Sequence, residues 1–191
     1  MNNHIHIHQE PDSVLRTQCS PVQLEQITEK KIQHIIQEMK QALAESGDGV
    51  AIAAPQIGHA VRIFVVAGNV IDNINNYHGS MVTPDKVFIN PEIIKFGKET
   101  KNMRGEGCLS VRFVYGTTKR FTSVTVKAYD ELGQEFIMPA KGLLAQIFQH
   151  EIDHLNGTLF IDHAKDLRRM SPSEQADYEK ELERMKKERM H

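Results

Sequence analysis

Tryptophan is absent from the 191 residues, cysteine occurs only twice, and no apolar stretch approaches the length a membrane-spanning helix requires. The last two scarcities each remove a class of protein. Two cysteines cannot form a disulfide framework, so a core must come from apolar packing, and Cys19 is expected as a free thiol near the surface or as a minor core residue. Neither a secretory signal nor an Arg-rich transit segment is recognisable, which predicts a cytoplasmic protein with no membrane contact. The 23 basic and 25 acidic residues nearly cancel, leaving a formal charge of −2, and this speaks against DNA or RNA as the main ligand. The length suits one domain able to bury well over half of its unfolded surface.

What the chain does have is a succession of short periodic segments. Ile32, Ile35, Ile36, Met39 and Leu43 recur at helical spacing, predicting an amphipathic helix over 28–45 that Ser46-Gly47 ends. Residues 62–67, 87–89 and 123–129 are β-rich, and Asp130-Glu131-Leu132-Gly133 reads as a turn into a strand over 134–138. Residues 68–86, rich in Asn, Gly and Pro, read as an exposed loop. There is no internal repeat. Strands followed by a helix predict an α+β domain over 1–165, with a charged helical extension over 166–191. That extension opens on a capping box, Ser171-Pro172-Ser173-Glu174, and carries Arg184, Lys186, Lys187 and Arg189 late, the charge order a solvated helix prefers. At the other end His4, His6 and His8 alternate. An extended chain would put them on one face able to chelate a metal, but a loosely ordered terminus is the expectation.

The most informative stretch is His150-Glu151-Ile152-Asp153-His154. Its flank Gly142-Leu143-Leu144-Ala145-Gln146-Ile147-Phe148-Gln149 has no proline, and Gly157 follows where a C-terminal cap is expected, so the segment predicts a core helix. Residues four apart share a helix face, so two imidazoles can hold one ion while the adjacent carboxylate takes a proton from its water. A tetrahedral catalytic site needs a third protein ligand. A histidine six residues after the second would fall at Phe160 and is excluded. Glu174 and Cys108, the latter in Glu106-Gly107-Cys108-Leu109-Ser110, both remain open on residue chemistry alone.

Three separated motifs occur in one order: Gly49-Val50-Ala51-Ile52-Ala53-Ala54-Pro55-Gln56-Ile57-Gly58, then Glu106-Gly107-Cys108-Leu109-Ser110, then Gln149-His150-Glu151-Ile152-Asp153-His154. With the opening Pro11-Asp12-Ser13-Val14-Leu15-Arg16, they make the chain resemble the peptide deformylases over roughly residues 10 to 163. The resemblance implies antiparallel sheets wrapped around a central metal-binding helix, with the N-terminal amphipathic helix and the C-terminal helix outside them. It implies Cys108, His150 and His154 as ligands of one divalent ion, Glu151 as general base and then acid, and Gln56 with the backbone N–H of Leu109 as oxyanion donors. Gly49, Val50, Ala51, Leu143 and Ile147 would bind substrate, Val50, Leu143 and Ile147 taking the methionine side chain. Glu106 and Arg120 would pair as support behind the ligands.

The implied reaction removes the formyl group from N-formylmethionyl nascent peptides and releases formate. Fe2+ is the implied working ion, with Ni2+, Co2+ or Zn2+ able to occupy purified protein. The implied setting is a bacterial cytoplasm, as a monomer, with a transient ribosome contact through the C-terminal helix. Two positions depart from the family pattern. Ala51 stands where glycine is usual, so either the backbone keeps negative φ or the methyl crowds the substrate path, and Arg112 stands where proline is common. Two rival functions use fewer of these residues. A metalloprotease would use Glu174 as third ligand and ignore Cys108, whereas a metal-binding module without turnover would be indifferent to Glu151.

Overall fold

A computed structural model describes residues 4–74 and 83–189. In chain order the elements are α1 (Lys30–Ser46), β1 (Ala51–Ala53), β2 (Ile63–Val66), α2 (Gly68–Ile74), β3 (Lys86–Phe96), β4 (Thr100–Cys108), β5 (Val111–Phe121), β6 (Ser123–Tyr129), β7 (Glu135–Lys141), α3 (Gly142–Leu155), β8 (Lys165–Arg169) and α4 (Pro172–Arg189), with single 3-10 turns between some of them. The strands form a five-stranded sheet ordered β1-β2-β3-β6-β7 and a three-stranded sheet ordered β4-β5-β8. Every strand pairing in them is antiparallel, so the architecture is α+β as the sequence predicts.

The larger sheet is covered on both faces, and β2 explains how. Its four residues Ile63-Phe64-Val65-Val66 are all buried, and the two-residue period of a strand sends them to opposite sides. Phe64 and Val66 join Phe88 and Val126 against Leu144, Ile147, Phe148 and Ile152 of α3. Ile63 and Val65 join Ile52 and Ile89 against Ile32, Ile36, Met39 and Leu43 of α1. Phe64 stacks on Phe88 at 4.4 Å between ring centres, and Phe148 meets Phe88 edge-on at 4.9 Å, which seats α3 on the sheet. Cys19 belongs to this α3-side core as a free thiol, 4% exposed.

A glycine ends α3. Gly157 takes φ 73°; its N–H bonds the carbonyl of His154 at 3.1 Å and that of Thr158 bonds Asp153 at 3.0 Å, the paired bonds of a glycine-terminated helix. A Cβ on Gly157 would lie 2.5 Å from the carbonyl oxygen of Arg16, so the N-terminal opening packs directly on the end of the helix. Arg16 holds that contact with ion pairs to Glu10 at 3.0 Å and Asp162 at 2.5 Å.

Several expectations need correction. Helix α2 lies inside the stretch read as an exposed loop, because Val70 and Ile71 drop into the α3-side core; residues 75–82 of that stretch lie outside the described residues. Strand β3 runs on to Phe96 past Pro91. The chain accommodates the proline with a register shift between Ile89 and Glu92 and with Asn90 at φ 51°, a bulge. The N-terminal segment is packed from His4 onward: Ile5 and Ile7 turn toward the α1-side core, while His4 pairs with Glu45 at 2.7 Å and His8 with Asp12 at 2.6 Å. No described helix is long and apolar enough to cross a membrane.

Candidate metal centre

The C-terminal end of β4 meets one face of α3, and this junction brings three ligand-type atoms together. Among the described residues, Cys108, His150 and His154 form the one group of Cys, His, Asp or Glu side chains close enough to share an ion, all three ligand atoms lying within 4.8 Å of one another. Cys108 Sγ is 3.1 Å from His154 Nε2. Ligand bonds near 2.1 and 2.3 Å in a tetrahedron give edges of roughly 3.5 Å, so the triangle needs only small adjustments. One thiolate with two imidazoles suits a borderline-soft divalent cation; burial holds His154 well below its usual pKa, whereas at His150 burial is outweighed by the bonds to Cys108 and Glu106, which raise it, so a cation would bind there by displacing a proton. The residues present therefore fit a metal ion. Glu174, the rival third ligand, is elsewhere: it accepts the backbone N–H of Ser171 at 2.7 Å and pairs with Arg168, completing the capping box of α4.

Behind the ligands sits a buried polar network centred on Glu106. Its Oε1 meets His150 Nδ1 at 2.9 Å and accepts Arg120 Nη2 at 2.5 Å. Its Oε2 accepts Thr118 Oγ1 at 2.6 Å, Gln146 Nε2 at 2.8 Å and Arg120 Nε at 3.2 Å. Burial alone would push this carboxyl up, but the bonds from His150 and Arg120 overcome it and hold the group ionised far below the usual range. With Nδ1 engaged by a carboxylate, His150 turns Nε2 toward Cys108 and His154, which is how a carboxylate orients a ligating imidazole. Arg120 also reaches Asp153 at 2.6 Å, so one guanidinium ties β5 to both β4 and α3. Gln149 adds a second tie, donating to Phe121 O and accepting from Phe121 N at 3.0 Å each.

Glu151 is 4% exposed, and burial pushes its carboxyl up to about 7. Its Oε2 is buried without a hydrogen-bond partner, so a proton acceptor stands free beside the ligands. A carboxyl poised near neutrality can take a proton and return it. Gln56 approaches from the other side, in the turn after β1. Its Oε1 accepts Ala53 N at 2.8 Å, which fixes the amide so that Nε2 points toward Ser110 Oγ, 3.1 Å away, and Cys108 Sγ, 3.6 Å away. Leu109 occupies the two-residue turn between β4 and β5, opposite Gln56, and Gln9 holds its carbonyl at 2.9 Å.

These groups lie at the inner end of a cavity of about 290 Å³ that Gly49, Val50, Ala51, Leu143 and Ile147 help to line. The structure thus gathers every expected site residue around the cavity except Arg120 and His154, which lie beneath its lining. Val50 and Leu143 are exposed at its mouth and Ile147 is buried. Ala51 is absent from the positive-φ positions and sits in the α3-side core, so its methyl packs rather than strains the backbone. Sequence reading missed Thr118, Gln146 and Ser110, because a threonine, a glutamine and a serine carry no spacing signal of their own. It also missed Asp48 and Tyr178 at the rim.

A profile of the polypeptide deformylase family matches residues 4–170, most of the chain. The chain belongs to that family. A relative named peptide deformylase 1 from Clostridium perfringens is 39% identical over 153 residues, covering 80% of this chain and 92% of its own. The crystal structure of a peptide deformylase from Legionella pneumophila superposes with a TM-score of 0.70 at 33% identity, covering 99% of both chains. A class I type b peptide deformylase from Acinetobacter baumannii, solved with Met-Ala-Ser bound, gives a TM-score of 0.73 at 30% identity over 85% of this chain and 99% of its own. The family match ends at Met170, so α4 lies beyond it.

Proposed function

We propose that this protein is a metal-dependent hydrolase that removes the formyl group from N-formylmethionyl peptides and releases formate. The observation that carries this reading is the convergence of Cys108, His150 and His154 beside the free, buried carboxylate of Glu151 in a chain of this family. A bound divalent ion would supply Lewis-acid polarisation and a nucleophilic water near neutral pH. The remaining chemistry belongs to the chain. Glu151 takes the proton released as the formyl carbon is attacked and returns it to the departing amine. Gln56 Nε2 and the Leu109 N–H donate to the oxygen on which charge develops. Val50, Leu143 and Ile147 supply the apolar wall for the methionine side chain, and the peptide extends along the open edges of β1 and β4 near Gly49 and Leu109.

Residues 1–165 form the catalytic unit in this reading, since each group assigned to the chemistry precedes residue 166, and 166–191 form the extension. Fe2+ is the working ion and Ni2+ or Co2+ a substitute, with Zn2+ the weakest, in a monomer of the bacterial cytoplasm. The exposed Arg184 and Lys187 on α4 support a transient ribosome contact. Co-sedimentation with ribosomes should weaken when both are reversed to glutamate, and an unchanged pellet would remove α4 from that role. The main test is formate release from a formyl-Met tripeptide by protein prepared without oxygen and loaded separately with Fe2+, Ni2+ and Zn2+. Turnover with Fe2+ and Ni2+ exceeding that with Zn2+ is expected; no formate from folded, fully loaded protein would overturn the reading.

A further inference from the structure

The mouth of the cavity carries a cluster of side chains that the reaction does not use. Arg112 Nη1 donates to Asp48 Oδ2 at 2.9 Å, and the hydroxyl of Tyr178 from α4 donates to the same oxygen. Asp48 immediately precedes Gly49 at the entrance to β1, and all three residues line the cavity. The cluster is built from both ends. Leu182 and Lys186 of α4 pack over Gly47, so close that a Cβ there would lie 2.6 Å from the Lys186 side chain, and this brings Tyr178 to the rim. On β5, Phe113 is held at φ 64°, a costly conformation for a bulky residue, and its ring meets Tyr178 edge-on at 6.3 Å. That kink follows Arg112 directly and turns the strand where Arg112 reaches Asp48.

Arg112 is the one guanidinium or ammonium group among the described residues lining the cavity. Its side chain is 30% exposed, and its one hydrogen bond among the described residues uses one terminal nitrogen, leaving donors for a planar anion. A peptide leaving the metal centre in extended form rises about 3.3 Å per residue, and this rim lines the cavity through which it leaves. We propose that Arg112 is a specificity-determining residue that binds a carboxylate of the substrate downstream of the N-formylmethionine. Asp48 and Tyr178 position it: Asp48 competes with the incoming carboxylate, and the Tyr178 hydroxyl tempers that competition. The carboxylate has two sources, an acidic side chain at the second or third residue or the free C-terminus of a short peptide.

The inference rests on the deformylase reading for the path of the peptide, and its test separates the two. KM would be compared for the C-terminally amidated peptides formyl-Met-Ala-Ala, formyl-Met-Asp-Ala and formyl-Met-Ala-Asp, and for formyl-Met-Ala-Ala with a free carboxylate. Each comparison is a ratio within one variant, so it does not depend on the active fraction. The same peptides would be titrated into metal-loaded Glu151→Gln protein, where hydrolysis is slowed enough for Kd to be read directly. Carboxylate-bearing peptides should bind about fivefold more tightly than the neutral amide, as expected of a partly exposed charge pair. Whether the side-chain or the free-terminus arm carries the gain identifies the source.

Arg112→Gln should bring the ratio to one and Arg112→Lys should restore part of it, whereas Asp48→Asn should raise it, because the competing carboxylate is gone. A merely structural cluster would move all peptides together and would not give opposite signs for Arg112→Gln and Asp48→Asn. Equal KM and Kd for all peptides in the unaltered protein, or a preference that survives Arg112→Gln, would overturn the inference and leave the deformylase reading intact. Absent turnover with a persisting Kd ratio would do the reverse.

Discussion

Replacing Glu151 with glutamine should lower kcat for formyl-peptide hydrolysis by about 10²–10⁴-fold, the usual contribution of a positioned acid–base group, while the bound metal stays at one ion per chain. The two halves of that result come from separate features. Glu151 is no part of the ligand triangle, whose three atoms come from Cys108, His150 and His154. The amide is isosteric with the carboxyl, so α3 and the two imidazoles it carries keep their places. What is lost is the proton acceptor, because an amide oxygen cannot take a proton at neutral pH. The buried carboxyl, pushed up to about 7, can hold that proton between the attack and the departure of the amine. Metal analysis and formate release on the same sample check both halves. Loss of metal together with activity would place Glu151 among the ligands, and unchanged kcat would remove it from the chemistry.

How much of this was legible in the sequence depended on whether a residue's role repeats along the chain. The face of α1 was readable because five apolar residues fall at helical spacing, and the observed Lys30–Ser46 differs from the expected 28–45 only at its ends. The turn at 130–133 was readable because Asp130 and Gly133 are turn formers; Asp130 Oδ1 caps the N–H groups of Leu132 and Gln134, and Gly133 takes φ 79°. Strand β5 was not. Its inward face carries Val114, Gly116, Thr118 and Arg120, and a strand whose inner residues include glycine, threonine and arginine shows no apolar alternation. Thr118 and Arg120 are buried because Glu106 satisfies them, and a partner 12 or 14 positions away in sequence leaves no local periodicity. Strand β4 is mostly exposed and polar for a related reason, being the edge of the smaller sheet. Helix α2 was hidden because Val70 and Ile71 are two apolar residues in a stretch otherwise dominated by loop formers. The ligand residues themselves could be read: the helix motif alone left the third ligand open between Glu174 and Cys108, the capping box weakened Glu174, and the three ordered motifs named Cys108. The approach of β4 to α3 is what brings that sulfur to the two imidazoles.

Arg120→Leu should destabilise the fold by about 3–5 kcal/mol, the cost of leaving a buried carboxylate without its cation, and should weaken metal binding by about 10–100-fold. Arg120 and Glu106 are 6% and 5% exposed, so water cannot replace the lost partner cheaply. Glu106 would keep Thr118, Gln146 and His150, but no permanent positive charge, and Asp153 on α3 would lose its tie to β5. For a chain of this length a loss of that size lowers Tm on the order of 10 °C. Stability and metal affinity can then be separated. Adding Glu106→Gln to Arg120→Leu removes the buried charge, so part of the lost stability should return. Metal affinity should not return, because His150 Nδ1 would face an amide instead of a carboxylate and the imidazole would lose the partner that orients Nε2. Calorimetric melting and competitive metal titration of both variants check this. Recovery of both properties in the double variant would mean that the Glu106–Arg120 pair serves the fold alone, and recovery of neither would mean that the charge imbalance is not what destabilises Arg120→Leu.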